Sequence, residues 1–183
     1  MELINQNIQS KLAKSLLVII LGSIALTISA KIKIPFYPVP MTMQTFVVLF
    51  LGISFGYKVG LSTIGLYLLE GILGLPVFSN SPERGAGIVY FTGPTMGYLI
   101  GFLSASYLAS KINNSDNFIL VLAKLIVATS TIYIFGLLWL GTLIGWDKPI
   151  IALGAQPFLL AETFKVVILA LVTKQILKIR SII

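Results

Sequence analysis

Apolar residues in this chain come in long runs, not in the alternating or one-sided patterns of a water-soluble domain. Six segments can be drawn, at about residues 12–30, 42–56, 59–75, 93–110, 118–145 and 155–177. A membrane-spanning helix needs about 20 apolar residues, and most of these segments come close to that. The second and third are short and meet at Tyr57-Lys58, which predicts a tight turn there. A five-segment alternative fuses the two as a re-entrant pair, with both halves still helical because lipid leaves no other partner for the backbone. Transmembrane barrel strands would alternate polar and apolar residues. Runs such as Leu16–Leu21 and Ile132–Leu140 do not. The pattern therefore predicts a single all-α integral membrane domain over residues 1–183, with six transmembrane helices.

Between the segments, irregular sequence falls on alternate connections. The first such stretch is Lys31–Met41, stiffened by Pro35, Pro38 and Pro40, which rule out helix. The second runs from Pro76 to Pro94, and the third is Trp146–Pro149, leading to Gln156-Pro157. The other connections are short and plain. With the N-terminus inside, the inner side carries Lys11, Lys14, Lys58, Lys111, Lys124, Lys174, Lys178 and Arg180, and the outer side only Lys31, Lys33, Arg84 and Lys148. That bias predicts both termini in the cytoplasm and the irregular connections outside.

Composition sharpens this picture by exclusion. Of 183 residues, 57% are hydrophobic and 10% charged, against about 25% charged in globular proteins. Histidine and cysteine are both absent, which removes disulfides, thiol chemistry and ordinary zinc sites. No phosphate-binding glycine loop ending in Lys-Ser/Thr is present, so no cofactor and no ATP site of its own is expected. The net charge of +7 sits at segment ends, as membrane topology requires, and not in a nucleic-acid-binding patch. An enzyme would need a nucleophile or metal cluster that these residues do not supply.

Against this background the ionisable residues inside segments stand out. Glu162 and Lys165 lie three apart in the last segment and share one helix face with Phe158. A charge in the centre of a spanning helix costs about 2.5–3.5 kcal/mol, so such residues face protein or a cavity and mark sites. The plainer reading is that the two neutralise each other and reach for the interface. In the second outer loop, Asn80, Glu83 and Arg84 sit among Phe78, Tyr90 and Phe91, a composition that suits either a pocket cap or a solvated surface loop. Thr42 and Gln44 follow the proline stretch and line a pocket or satisfy a helix end. Glu70 reads as structural. Small residues on the first segment, among them Ser23, Ala25, Thr27 and Ser29, suit close helix packing or a docking face for a partner.

Several strings together resemble the BioY family, the biotin-binding S components of energy-coupling-factor (ECF) transporters. They are Ile34-Pro35 with Pro38-Val39-Pro40-Met41-Thr42-Met43-Gln44; Tyr67-Leu68-Leu69-Glu70-Gly71 with Gly74-Leu75-Pro76-Val77-Phe78; Gly93-Pro94-Thr95-Met96-Gly97-Tyr98; and Pro157-Phe158 followed by Glu162 and Lys165. The resemblance implies a six-helix S-component bundle with a biotin pocket near the extracellular side, in a bacterial inner membrane. It implies polar ligand contacts from Asn80, Arg84, Glu162 and Lys165. Either basic residue would take the valerate carboxylate, and Gln44, Tyr37, Phe78, Tyr90 and Phe158 would complete the pocket. The implied partners are biotin, membrane lipid, a transmembrane coupling subunit and ATPase subunits, with docking on helix one. There the family's Ala-x-x-x-Ala is replaced by the spacings Ser23/Thr27 and Ala25/Ser29. The last-helix acid, often Asp in the family, is Glu162. A stand-alone permease and an S component for another water-soluble vitamin are the alternatives.

Overall fold

In the computed structural model, which describes residues 2–83 and 85–180 and side chains from Lys11 onward, the chain is a helical bundle with one small β-hairpin. Helix α1 is Glu2–Lys31 and α2 is Gln44–Ile72, followed by α3 (Met96–Ala109), α4 (Phe118–Ile144), the short α5 (Ile150–Gly154) and α6 (Leu159–Ile179). Strands β1 (Lys33–Ile34) and β2 (Met41–Thr42) pair antiparallel, with Lys33 opposite Thr42. The proline-rich stretch is therefore a short ribbon that feeds straight into α2. Four helical stretches, Lys11–Lys31, Gln44–Ile72, Phe118–Ile144 and Ile150–Ile179, are long and apolar enough to cross a membrane, and α3 is a shorter apolar helix. The chain is a multi-pass membrane protein.

The stretch labelled α2 is two helical arms that meet at a non-helical residue. Gly56 has φ 74° and ψ 178°, a conformation closed to residues with a side chain. A straight helix would put Gly52 and Gly60 about 12 Å apart. Here a Cβ on Gly60 would lie 3.5 Å from the Gly52 Cα. At the far ends, Gln44 Nε2 donates to the Tyr67 hydroxyl at 2.7 Å across 23 residues of chain. The element is thus a hairpin of two helices that reverses at Gly56. The sequence reading had placed the turn one residue later, at Tyr57-Lys58, where ordinary residues hold helical geometry.

Close backbone approach holds the other elements together. The pair Gly97 and Gly101, four apart on α3, faces α4. A Cβ on Gly97 would come within 2.3 Å of the Phe135 carbonyl oxygen, and one on Gly101 within 2.6 Å of the Ile132 Cα. This is small-residue packing as membrane helices use it, where dispersion replaces the hydrophobic effect. On α1, Gly22 abuts Thr63, and the Ser23 hydroxyl donates to Glu70 Oε2. Glu70 is thereby tied into helix packing, as expected of it. The outward faces of the bundle are apolar, with Leu16, Ile20, Ile24 and Ile28 on α1 and Ile126, Ile134 and Leu138 on α4 exposed.

Candidate functional site

The Gln156-Pro157-Phe158 turn precedes α6 and sets Glu162 in its first turn, where the helix dipole favours a carboxylate. Glu162 and Lys165 are 6% and 7% exposed, so this ion pair is buried. Burying it is costly unless the charges are matched and hydrogen-bonded. The chain meets that demand from the start of α2. Lys165 Nζ donates to Glu162 Oε1 at 2.7 Å, to Thr45 Oγ1 at 2.9 Å and to the Thr42 carbonyl at 2.7 Å. Thr45 Oγ1 in turn donates to Glu162 Oε1 at 2.9 Å. An ammonium has three protons, and all three are used. The other carboxylate oxygen, Glu162 Oε2, is buried without a hydrogen bond of ordinary length, and the Tyr133 hydroxyl interacts with this carboxylate.

Glu162 forms one wall of a cavity of about 50 Å³ at the loop end of the bundle. Val39, Pro40 and Met41 of the ribbon, Phe78 and Ser79 of the following loop, Tyr90, Tyr98, Tyr133 and Phe158 complete it, with Gln44 and Thr45 beneath. The aromatic walls are ordered among themselves. Phe78 stacks on Tyr90 with ring centres 4.6 Å apart, and Tyr67 meets the Phe78 edge at 5.3 Å. The Ser79 and Tyr90 hydroxyls lie 3.3 Å apart. A larger apolar groove of about 430 Å³ runs along α4 and α6, with Tyr133 and Glu162 standing in its wall too.

The geometry sorts the candidate residues. Glu162, Gln44, Phe78, Tyr90 and Phe158 converge on the cavity. Asn80 lies beside it, in a smaller space of about 40 Å³ shared with Tyr90 and Thr95. Lys165 is not among the residues lining the cavity, and its three donors are taken up by Glu162, Thr45 and the Thr42 carbonyl. Tyr37 is 79% exposed, whereas Val39 and its neighbours turn inward. In this arrangement Val39, Pro40 and Met41 line the cavity and Tyr37 stands outside it. Arg84 lies outside the described residues. Of the proposed docking residues, Ser23 and Ser29 are 1% and 4% exposed and point into the bundle, while Ala25 and Thr27 are half-buried. The lipid-facing strip of α1 is instead the large aliphatic residues between them.

Sequence reasoning missed Thr45, Tyr98 and Tyr133. Thr45 directly follows the string that ends at Gln44, and Tyr98 closes the Gly-Pro-Thr string, so one lay beside and the other within the quoted motifs. Tyr133 carried no signal, being one aromatic residue in an apolar helix.

A buried ion pair beside a cavity with aromatic walls is the arrangement of a candidate small-molecule site within a membrane bundle. The BioY family model matches residues 4–181, and the chain belongs to that family. A probable biotin transporter BioY of Pyrococcus horikoshii is 36% identical over 143 residues, covering 78% of this chain and 83% of that one. The biotin transporter BioY of Thermotoga maritima is 32% identical over 155 residues, 84% and 90% of the two chains. In fold, the chain is similar to a crystal structure of the S component for biotin from an ECF-type ABC transporter, with a TM-score of 0.76 at 23% identity over 92% of this chain and 93% of that one. Family members are named as transporters, not enzymes.

Proposed function

We propose that this chain is the biotin-binding S component of an ECF-type transporter and takes part in biotin uptake. The observation that carries the reading is Glu162, whose carboxylate lines an aromatic-walled cavity with Oε2 not hydrogen-bonded, in a BioY-family bundle. Biotin offers matching chemistry. Its ureido ring has two N–H donors for a carboxylate and a carbonyl for the Asn80 amide or the Ser79 and Tyr90 hydroxyls. Its thioether ring and alkyl chain suit Phe78, Tyr90 and Phe158. Arg84 is the residue assigned to the valerate carboxylate, since Lys165 is consumed within the chain. A cavity of about 50 Å³ is below the usual range for ligand pockets, roughly 300–1,000 Å³, so the ribbon and the following loop move outward to admit biotin.

Calorimetry on the isolated chain in detergent should register heat with biotin and none with riboflavin or thiamine. Heat with another vitamin only would transfer the function to that ligand. The chain brings no ATP-binding loop, so energised uptake rests on a transmembrane coupling subunit and ATPase subunits. Biotin accumulation against its gradient in vesicles holding this chain alone would overturn that part.

In the membrane, the two arms of the α2 hairpin count as separate spans, making six crossings with both termini cytoplasmic. The Lys/Arg distribution supports this orientation. Cysteines introduced at the exposed positions Glu83 and Ser115 should react with an impermeant reagent from opposite sides of intact cells. Reaction of both from the same side is the result that excludes the six-span arrangement.

A further inference from the structure

Two lysines with no part in the site, Lys31 and Lys33, take up the backbone acceptors of a turn that builds it. Lys31, the last residue of α1, donates from Nζ to the Phe78 carbonyl at 2.8 Å and the Ser81 carbonyl at 2.9 Å. These are the two ends of one turn, since Ser81 N also donates to the Phe78 carbonyl at 3.3 Å. Lys33, the first residue of β1, donates to the Ser79 carbonyl at 2.5 Å and to Asn80 Oδ1 at 3.1 Å. Within residues 78–81, only the Asn80 carbonyl lies outside this set of acceptors.

The turn so held contributes Phe78 and Ser79 to the cavity wall and Asn80 to the space beside it. Neither lysine lines the cavity; both are exposed and grip the turn from outside. The grip is also joined to the ion pair. Lys33 stands opposite Thr42 in the β-hairpin, and the Thr42 carbonyl accepts from Lys165. A two-residue ribbon thus links the lysines that hold the turn to the lysine that holds Glu162.

We propose that Lys31 and Lys33 are positioning residues that latch the 78–81 turn over the ligand and set how long the ligand stays. The inference rests on the biotin reading for its ligand, but the latch itself is a property of the unliganded chain. A competing role is electrostatic: two exposed ammonium groups at the mouth would draw in an anionic ligand.

The full-length protein in detergent separates these roles through Lys31→Met, Lys33→Met, the double variant and Lys33→Arg. Amide hydrogen exchange is measured first, without ligand. In the double variant it should speed up over residues 77–81 by roughly 10-fold, the loss expected for exposed charge-assisted bonds, and stay unchanged in α4. Dissociation rates are then measured for biotin and for its uncharged amide. Both should rise by the same factor, on the order of 10-fold in the double variant, with Lys33→Arg close to the parent. Unchanged exchange in the turn would overturn the latch. So would losses confined to biotin and to its association rate, which assign the lysines to attraction of the carboxylate. If the parent binds neither compound, the biotin reading falls, and the exchange comparison alone still decides the latch.

Discussion

Replacing Lys165 by Met should lower the melting temperature of the unliganded protein and weaken biotin and biotin amide by similar factors. The ammonium makes three hydrogen bonds inside the chain, to Glu162, Thr45 and the Thr42 carbonyl. Met has similar length and none of these donors. The substitution leaves a buried carboxylate without its counter-charge, and breaking a buried pair in this way costs about 3–5 kcal/mol. Without its counter-charge the Glu162 carboxylate is no longer held in place, which disturbs the acceptor that a ligand needs, whatever charge the ligand carries at its other end. Combining Lys165→Met with Glu162→Gln removes both charges and should recover part of the lost stability, a coupling that a double-mutant cycle measures directly. Biotin weakened about 10-fold more than its amide, with an unchanged melting temperature, would instead put Lys165 on the ligand carboxylate.

This expectation departs from what the sequence alone favours for Lys165, and the reason is physical. Spacing along one helix shows that Glu162 and Lys165 share a face. It does not show which residues lie opposite. The decisive partner, Thr45, is 120 residues away from Lys165 in the chain, and its contact exists only because the β-hairpin delivers the start of α2 to the start of α6. The membrane spans, by contrast, were legible because lipid imposes one rule on every residue of a segment. So was the break between α1 and α2, through the prolines at 35, 38 and 40. The reversal at Gly56 was missed by one residue because any of Gly56, Tyr57 and Lys58 ends an apolar run equally well. Only the backbone distinguishes the glycine that can hold φ 74°. On α1, Ser23 and Ser29 read as either helix packing or a docking face, because small residues serve an internal helix contact and an external one alike. What decided between them was Glu70, whose carboxylate takes the Ser23 hydroxyl.

Glu162→Gln should cost biotin roughly 100-fold in affinity or more, the largest effect expected at this site. The substitution keeps the shape of the side chain. The amide oxygen can still accept from Lys165 and Thr45 where Oε1 does now. The group placed at Oε2 then becomes an NH₂ donor, facing the ureido N–H donors that the carboxylate would accept. A charge-assisted bond worth about 1.5–3 kcal/mol is exchanged for two donors in opposition. Glu162→Asp, which keeps the charge but draws it back by one methylene, should lose only about 10-fold. The assignment can be pinned to the ureido group with biotin methylated on a ureido nitrogen. The parent protein should bind that analogue much more weakly than biotin, while Glu162→Gln should bind the two with nearly equal affinity, because the contact that distinguishes them is already gone. If Glu162→Gln holds biotin within about threefold of the parent, the free oxygen of Glu162 is not the ligand's acceptor and the proposed site is wrong.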